Sequence, residues 1–171
     1  MATEEQTTFN SNLSVRAGQN EAVVQELLIA NRIVSKLSLR LYKAGSPPAE
    51  DITYEIRRVG TPGDVLASKV QGKANVLSAV PDWVEVIFDA PVLINEIVRI
   101  GVSFNYGDAS NRVKIEYNTS SVKANEETWV WTGVVWTELS AGDTAYIYTY
   151  EAPAVGGGQG GPAALVAARI I

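Results

Sequence analysis

Hydrophobic and polar positions alternate along most of this chain. Between Ile33 and Tyr42, the residues Ile33, Leu37, Leu39 and Leu41 fall on one face, and Lys36, Ser38 and Arg40 on the other. Ile52, Tyr54 and Ile56 alternate with Thr53, Glu55 and Arg57, and Val84, Val86 and Phe88 with Glu85. Val98, Ile100, Val102 and Phe104 alternate with Arg99 and Ser103; Val113, Ile115 and Tyr117 alternate with Arg112, Lys114 and Glu116. A period of two describes an antiparallel strand with one face on a core and one in water. Turn-forming residues separate the segments: Gly45-Ser46-Pro47-Pro48, Gly60-Thr61-Pro62-Gly63-Asp64, Asp89-Ala90-Pro91, Asn105-Tyr106-Gly107-Asp108 and Ala141-Gly142-Asp143. Glu21–Ala30 is less clear, because Val23, Val24, Leu27 and Leu28 also sit at helical spacing. Followed by Asn31-Arg32 and the strand from Ile33, it reads better as the first arm of a hairpin. The pattern predicts about eight to ten short strands and no long helix, an all-β antiparallel sandwich. Leu37, Leu39, Ile56, Val86, Phe88, Ile100 and Val102 are its expected core.

Three zones follow. Residues 1–20 are polar and acidic and read as an N-terminal arm; residues 21–151 carry the strands. Residues 152–171 run through the glycine-rich hinge Gly156–Gly161 into the apolar Ala163–Ile171. No internal repeat is evident.

Composition narrows the chemistry. The 171 residues include no Cys and no His, which excludes disulfides, thiolate metal sites and the commonest general base and metal ligand. Lys+Arg 14 against Asp+Glu 19 leaves a net charge of −5, which argues against nucleic acid as a partner. The first ten residues lack the basic and apolar regions of a secretory signal. No apolar run approaches the ~18–20 residues of a membrane span, so no membrane insertion is expected. No phosphate loop, nucleophile elbow or zinc-protease motif is present. Adjacent Glu126 and Glu127 do not supply the two carboxylates facing each other across a cleft that a glycosidase uses. The expectation is a protein that is not an enzyme and that needs no cofactor. Calcium can bind sandwich loops, but Asp64, Asp89, Asp108 and Asp143 form no dense run, and turn formation accounts for each.

The order Ile33–Pro47, Ile52–Arg57, Pro62–Ser68, Trp83–Phe88 with Val92, then Trp136-Thr137 and Asp143–Tyr146 resembles jelly-roll modules. Such modules occur in bacterial surface proteins, carbohydrate-binding-module-like domains and virus or phage structural proteins. The resemblance implies a jelly-roll-like sandwich over about residues 22–150. It also implies an adhesive, sugar-binding or assembly role, since one fold hosts many functions.

Two features carry candidate function. Trp129, Trp131 and Trp136 lie in Thr128–Leu139, a hairpin around Thr132-Gly133, and Tyr146, Tyr148 and Tyr150 alternate further on. Exposed, such rings could stack on sugars or clasp a partner; buried, they cover a sheet. The second feature is the tail, where Leu165, Val166, Ile170 and Ile171 follow the glycine hinge. Apolar residues on a tether suit docking on a neighbouring subunit, unless the tail folds back on its own domain. The leading expectation is a structural subunit of a large assembly, a virion protein of the capsid, decoration or tail-associated kind. Its partners would be copies of itself and other subunits of the assembly, reached by both terminal arms. The alternatives are a carbohydrate-binding module that takes a glycan on those aromatics and an extracellular filament subunit joined by donor strands.

Overall fold

The structure, a computed structural model, describes residues 1–60 and 64–153. Eleven strands pair antiparallel in one continuous sheet. They are β1 (Ala2–Gln6), β2 (Ser11–Val15), β3 (Ala22–Ala44), β4 (Asp51–Arg58), β5 (Val65–Lys73) and β6 (Asp82–Ser103), then β7 (Arg112–Asn118), β8 (Glu127–Trp131), β9 (Trp136–Leu139), β10 (Asp143–Thr144) and β11 (Tyr146–Glu151).

Two long strands organise the rest. β3 has 23 residues and β6 has 22, and they pair along nearly their whole length with two interruptions. At the first, Ile29 pairs with Glu96 and Arg32 with Ile94, so Ala30 and Asn31 oppose Asn95 alone. Asn31 has φ 50°, and its N–H donates to Asn95 Oδ1 at 3.0 Å. Asn tolerates the left-handed region, and an extra residue in one strand bends it and tightens its twist. Ala30-Asn31 therefore makes a bulge, and the expected hairpin is one continuous strand. At the second interruption Val34 pairs with Val92 and Lys36 with Ile87. Four residues, Phe88 to Pro91, then stand opposite Ser35. Pro91 has no N–H for the ladder, so Asp89-Ala90-Pro91 bulges out of a strand instead of ending one. Ser35 also shifts the register, which puts Val34 in place of Ile33 on the buried face with Leu37, Leu39 and Leu41.

The bulges fold the long pair into two layers. In the first, the start of β3 carries β8 and β9 on one side and the end of β6, then β4 and β5, on the other. In the second, the end of β3 carries β11 and β1, and β7 with β2 and β10, opposite the start of β6. Their inner faces share one core, in which all seven expected core residues are buried. Tyr54 spans it, its hydroxyl donating to the Val84 carbonyl at 2.9 Å, and burial pushes that phenol's pKa up. The result is an all-β, antiparallel, sandwich-like fold.

Residues 1–20 do not stand clear of this body as an arm. β1 is hydrogen-bonded to β11 from Ala2↔Tyr150 to Gln6↔Tyr146, and β2 to β7 from Ser11↔Tyr117 to Val15↔Val113. The acidic composition suggested solvent because polar residues also suit a sheet edge, where only part of each side chain is covered.

A buried polar knot locks the layers at one end. Asp143 is fully buried, and its carboxylate accepts from Gln25 Nε2 at 2.9 Å and from the Val122 and Lys123 amides at 2.5 and 2.9 Å. Gln25 Oε1 accepts from the Thr144 amide and the Thr128 hydroxyl, and Gln6 Nε2 donates to the Asp143 carbonyl. Each buried polar group named here has a partner, the condition under which burial is tolerated.

Candidate functional site

The aromatic hairpin sits where the sequence pattern put it. Trp131 pairs with Trp136 across the β8–β9 hairpin, and Gly133 at φ 89° makes the turn, which a side chain would strain. Trp129 and Trp131 share the outer face of the first layer and, with Trp136, pack on Ala22 and Val24. Below them Gly101 leaves no room for a side chain, since a Cβ there would stand 2.2 Å from the Val23 carbonyl oxygen.

These rings have different fates. The Arg99 guanidinium lies 4.2 Å from the Trp129 ring centre and 4.8 Å from that of Trp136, and its Nε donates to Glu26 at 2.8 Å. Trp136 is only 8% exposed. Trp129 and Trp136 thus enclose a cation that the fold itself supplies, a contact worth about 0.5–2 kcal/mol. The indole N–H groups of both are buried and meet no acceptor among the described residues. Trp131 stands apart, tilted against Trp136 at 5.3 Å between ring centres, and it lines an open cleft.

That cleft, of about 310 Å³, lies at the end of the first layer away from the bulges. Glu21 and Ala22 lie where β3 begins, Asp51, Thr53, Glu55 and Arg57 alternate along β4, and Ser103, Phe104 and Asn105 lie where β6 ends. Glu55 is ion-paired with Arg57, whose Nε donates at 3.1 Å, and Asp51 with Lys73 at 2.9 Å. Sequence reasoning found the indoles but missed the polar half of the cleft. Those residues come from three distant segments whose only local signal is being on the outward side of a strand.

The tyrosine stripe is not a ligand platform. Tyr146 and Tyr148 are buried in the core, with rings stacked at 6.0 Å. Their hydroxyls are also engaged: Tyr146 donates to Glu126 at 2.8 Å and accepts from Lys123 Nζ at 3.1 Å, and Tyr148 accepts from Arg32. Burial raises the Glu126 pKa, whereas ion-paired hydrogen bonds from Lys123 and Arg32 hold that of Glu4 down. β1 extends the sheet beside β11, and the face carrying Tyr146 and Tyr148 belongs to the shared core, a long-range arrangement that alternation alone does not reveal.

The turn aspartates lie in separate places. Asp64 meets Arg58, Asp89 meets Lys69, Asp108 accepts from the Ser110 and Asn111 amides of its own turn, and Asp143 belongs to the buried knot. Leu165, Val166, Ile170 and Ile171 lie outside the described residues.

An apolar strip occupies the opposite end of the first layer, at the bulges. Leu93 and Ile97 share the outward face of β6, Leu28 pairs with Ile97, and Val59 follows Arg58, which pairs with Val98. Leu28, Leu93, Ile97 and Val59 are 62%, 59%, 52% and 45% exposed. β11 runs antiparallel to β3 and reaches Ile33 at Glu151.

No family model matches the chain, and no curated protein matches it in sequence. Among solved structures, the infectious bursal disease virus VP2 subviral particle shows a weak likeness, with TM-score 0.36 and 9% sequence identity over 86% of this chain. The chain spans about a third of that protein's length, 32%.

Proposed function

We propose that this chain is a non-enzymatic structural subunit of a large assembly, a virion protein of the capsid, decoration or tail-associated kind built on a jelly-roll-like sandwich. The observation that supports this reading is the strip of Leu28, Val59, Leu93 and Ile97, each about half exposed and contiguous across neighbouring strands. Aliphatic side chains gathered in this way mark an interaction surface, whereas scattered ones would not. Burying the exposed halves of four such side chains is worth about 4 kcal/mol in gross terms, before the cost of association. Copies of the same chain and other subunits of the particle are the partners. The tail residues Leu165, Val166, Ile170 and Ile171 add a second, tethered contact with neighbours. Residues 1–20 contribute to the subunit's own sheet and are not part of that reach.

The test is sedimentation and negative-stain microscopy of the purified full chain over a range of concentrations. Regular particles or discrete oligomers are expected, and they should be lost in a folded Leu28→Glu/Ile97→Glu variant. Removal of residues 156–171 should leave a folded domain that assembles poorly. A chain that stays monomeric at every concentration overturns the reading, and normal assembly without the tail removes the tail from it.

A further inference from the structure

We propose that the cleft beside Trp131 is a binding site for an uncharged sugar, a function separate from assembly and at the far end of the layer from the apolar strip. A pyranose offers an apolar C–H face and a rim of hydroxyls that both donate and accept. The cleft offers the complement of each. Trp131 supplies a partly exposed indole in its wall, Asp51 and Glu21 supply acceptors, and Asn105 and Ser103 supply both donors and acceptors.

The polar groups also argue against charged ligands. A phosphate or sulfate would face three carboxylates, Glu21, Asp51 and Glu55, with one guanidinium in the lining. An ammonium would meet the Glu21 carboxylate, but it would find Asp51 and Glu55 already paired with Lys73 and Arg57 and would sit near the Arg57 guanidinium. A ligand with hydroxyls and no net charge meets neither penalty. The volume, about 310 Å³, is at the lower end for small-molecule sites and suits a mono- or disaccharide. Trp136 is buried, and Trp129 packs over the buried Arg99 and does not line the cleft, so Trp131 is the ring left for stacking there. Trp136 still contributes to the wall, where its buried N–H meets no acceptor among the described residues.

The experiment is titration of the full chain, by calorimetry and two-dimensional NMR, with lactose, maltose, cellobiose and chitobiose. Sialyllactose and arginine amide serve as anionic and cationic probes. Saturable binding of at least one neutral disaccharide is expected, weakened about tenfold or more by Trp131→Ala, the loss of one stacking contact. Glu21→Gln, which preserves shape, should weaken it too, and Val134→Ser in the same hairpin should leave it unchanged. Circular dichroism and melting of each variant separate loss of binding from loss of fold. The proposal is overturned if no neutral probe saturates, if only the charged probes bind, or if binding survives both Trp131→Ala and Glu21→Gln.

Discussion

Removing the Asp143 carboxylate should unfasten the two layers. In Asp143→Ala, three donors lose their acceptor at once: Gln25 Nε2 and the amides of Val122 and Lys123. Gln25 and Asp143 are fully buried, so water cannot replace the lost partner without opening the structure. A hydrogen bond to a charged group contributes about 1.5–3 kcal/mol, and each orphaned buried donor costs about 1–3 kcal/mol. The three terms share one carboxylate and do not add, and the variant no longer carries the cost of burying a charge. The net loss should be about 3–5 kcal/mol, the range for breaking a buried charged contact from one side. Against a total stability of about 5–15 kcal/mol that is a large fraction, and it should lower the melting temperature by about 10 °C or more. Urea titrations followed by tryptophan fluorescence measure it directly. Asp143→Asn keeps the volume but turns an amide N–H₂ towards some of the same donors, so it should be destabilised as well. A loss below about 1 kcal/mol in Asp143→Ala, with an unchanged urea dependence, would refute the view that this knot joins the layers.

Further outcomes follow from the core and from the charged cluster beside β11. Leu39→Ala, at a fully buried position, should cost about 2–5 kcal/mol in the same titration. Gly101→Ala should cost about 3 kcal/mol or prevent folding, because the added carbon would meet Val23 and Val24 backbone atoms at 2.2 and 2.6 Å. The Glu126 pKa is raised in the folded state, chiefly by burial, so its stabilising contribution is full below the unfolded carboxylate pKa and is lost as pH rises through the folded value. Glu126→Gln, which still accepts from Tyr146, should therefore melt higher than the parent at neutral pH, and the gap should close in acid. The Glu4 pKa is lowered, chiefly by the Lys123 hydrogen bond, so its contribution is present above the unfolded pKa and is lost as pH falls through the folded value. Amide exchange in β1 should accelerate in that acid range before the core opens.

The sequence alone determined most of the strands between residues 21 and 151 and most of the core. Alternation is a local property: once Leu37, Leu39, Val86 and Ile100 are seen to recur at every second position, one face of each strand must leave water whatever its partner. The β8–β9 hairpin was equally legible, because Gly133 and the tryptophans flanking it lie close together in the chain. Only the tertiary structure decided whether an interruption was a turn or a bulge. Asn31-Arg32 and Asp89-Ala90-Pro91 carry turn chemistry, yet each strand continues through because a long partner lies opposite. The fate of the aromatics was decided in the same way. Alternation put Tyr146 and Tyr148 on one face, but the core residues packed against that face fixed it as interior, and Arg32 and Lys123 were brought in to engage the hydroxyls. Trp131 borders an open cleft because the strand segments meeting at its end of the layer line it mostly with polar side chains, Thr53, Glu55, Ser103 and Asn105 among them. Burial of a face follows from its own pattern; what covers it, and what is left uncovered, depends on residues brought in from distant parts of the chain, which local periodicity does not encode.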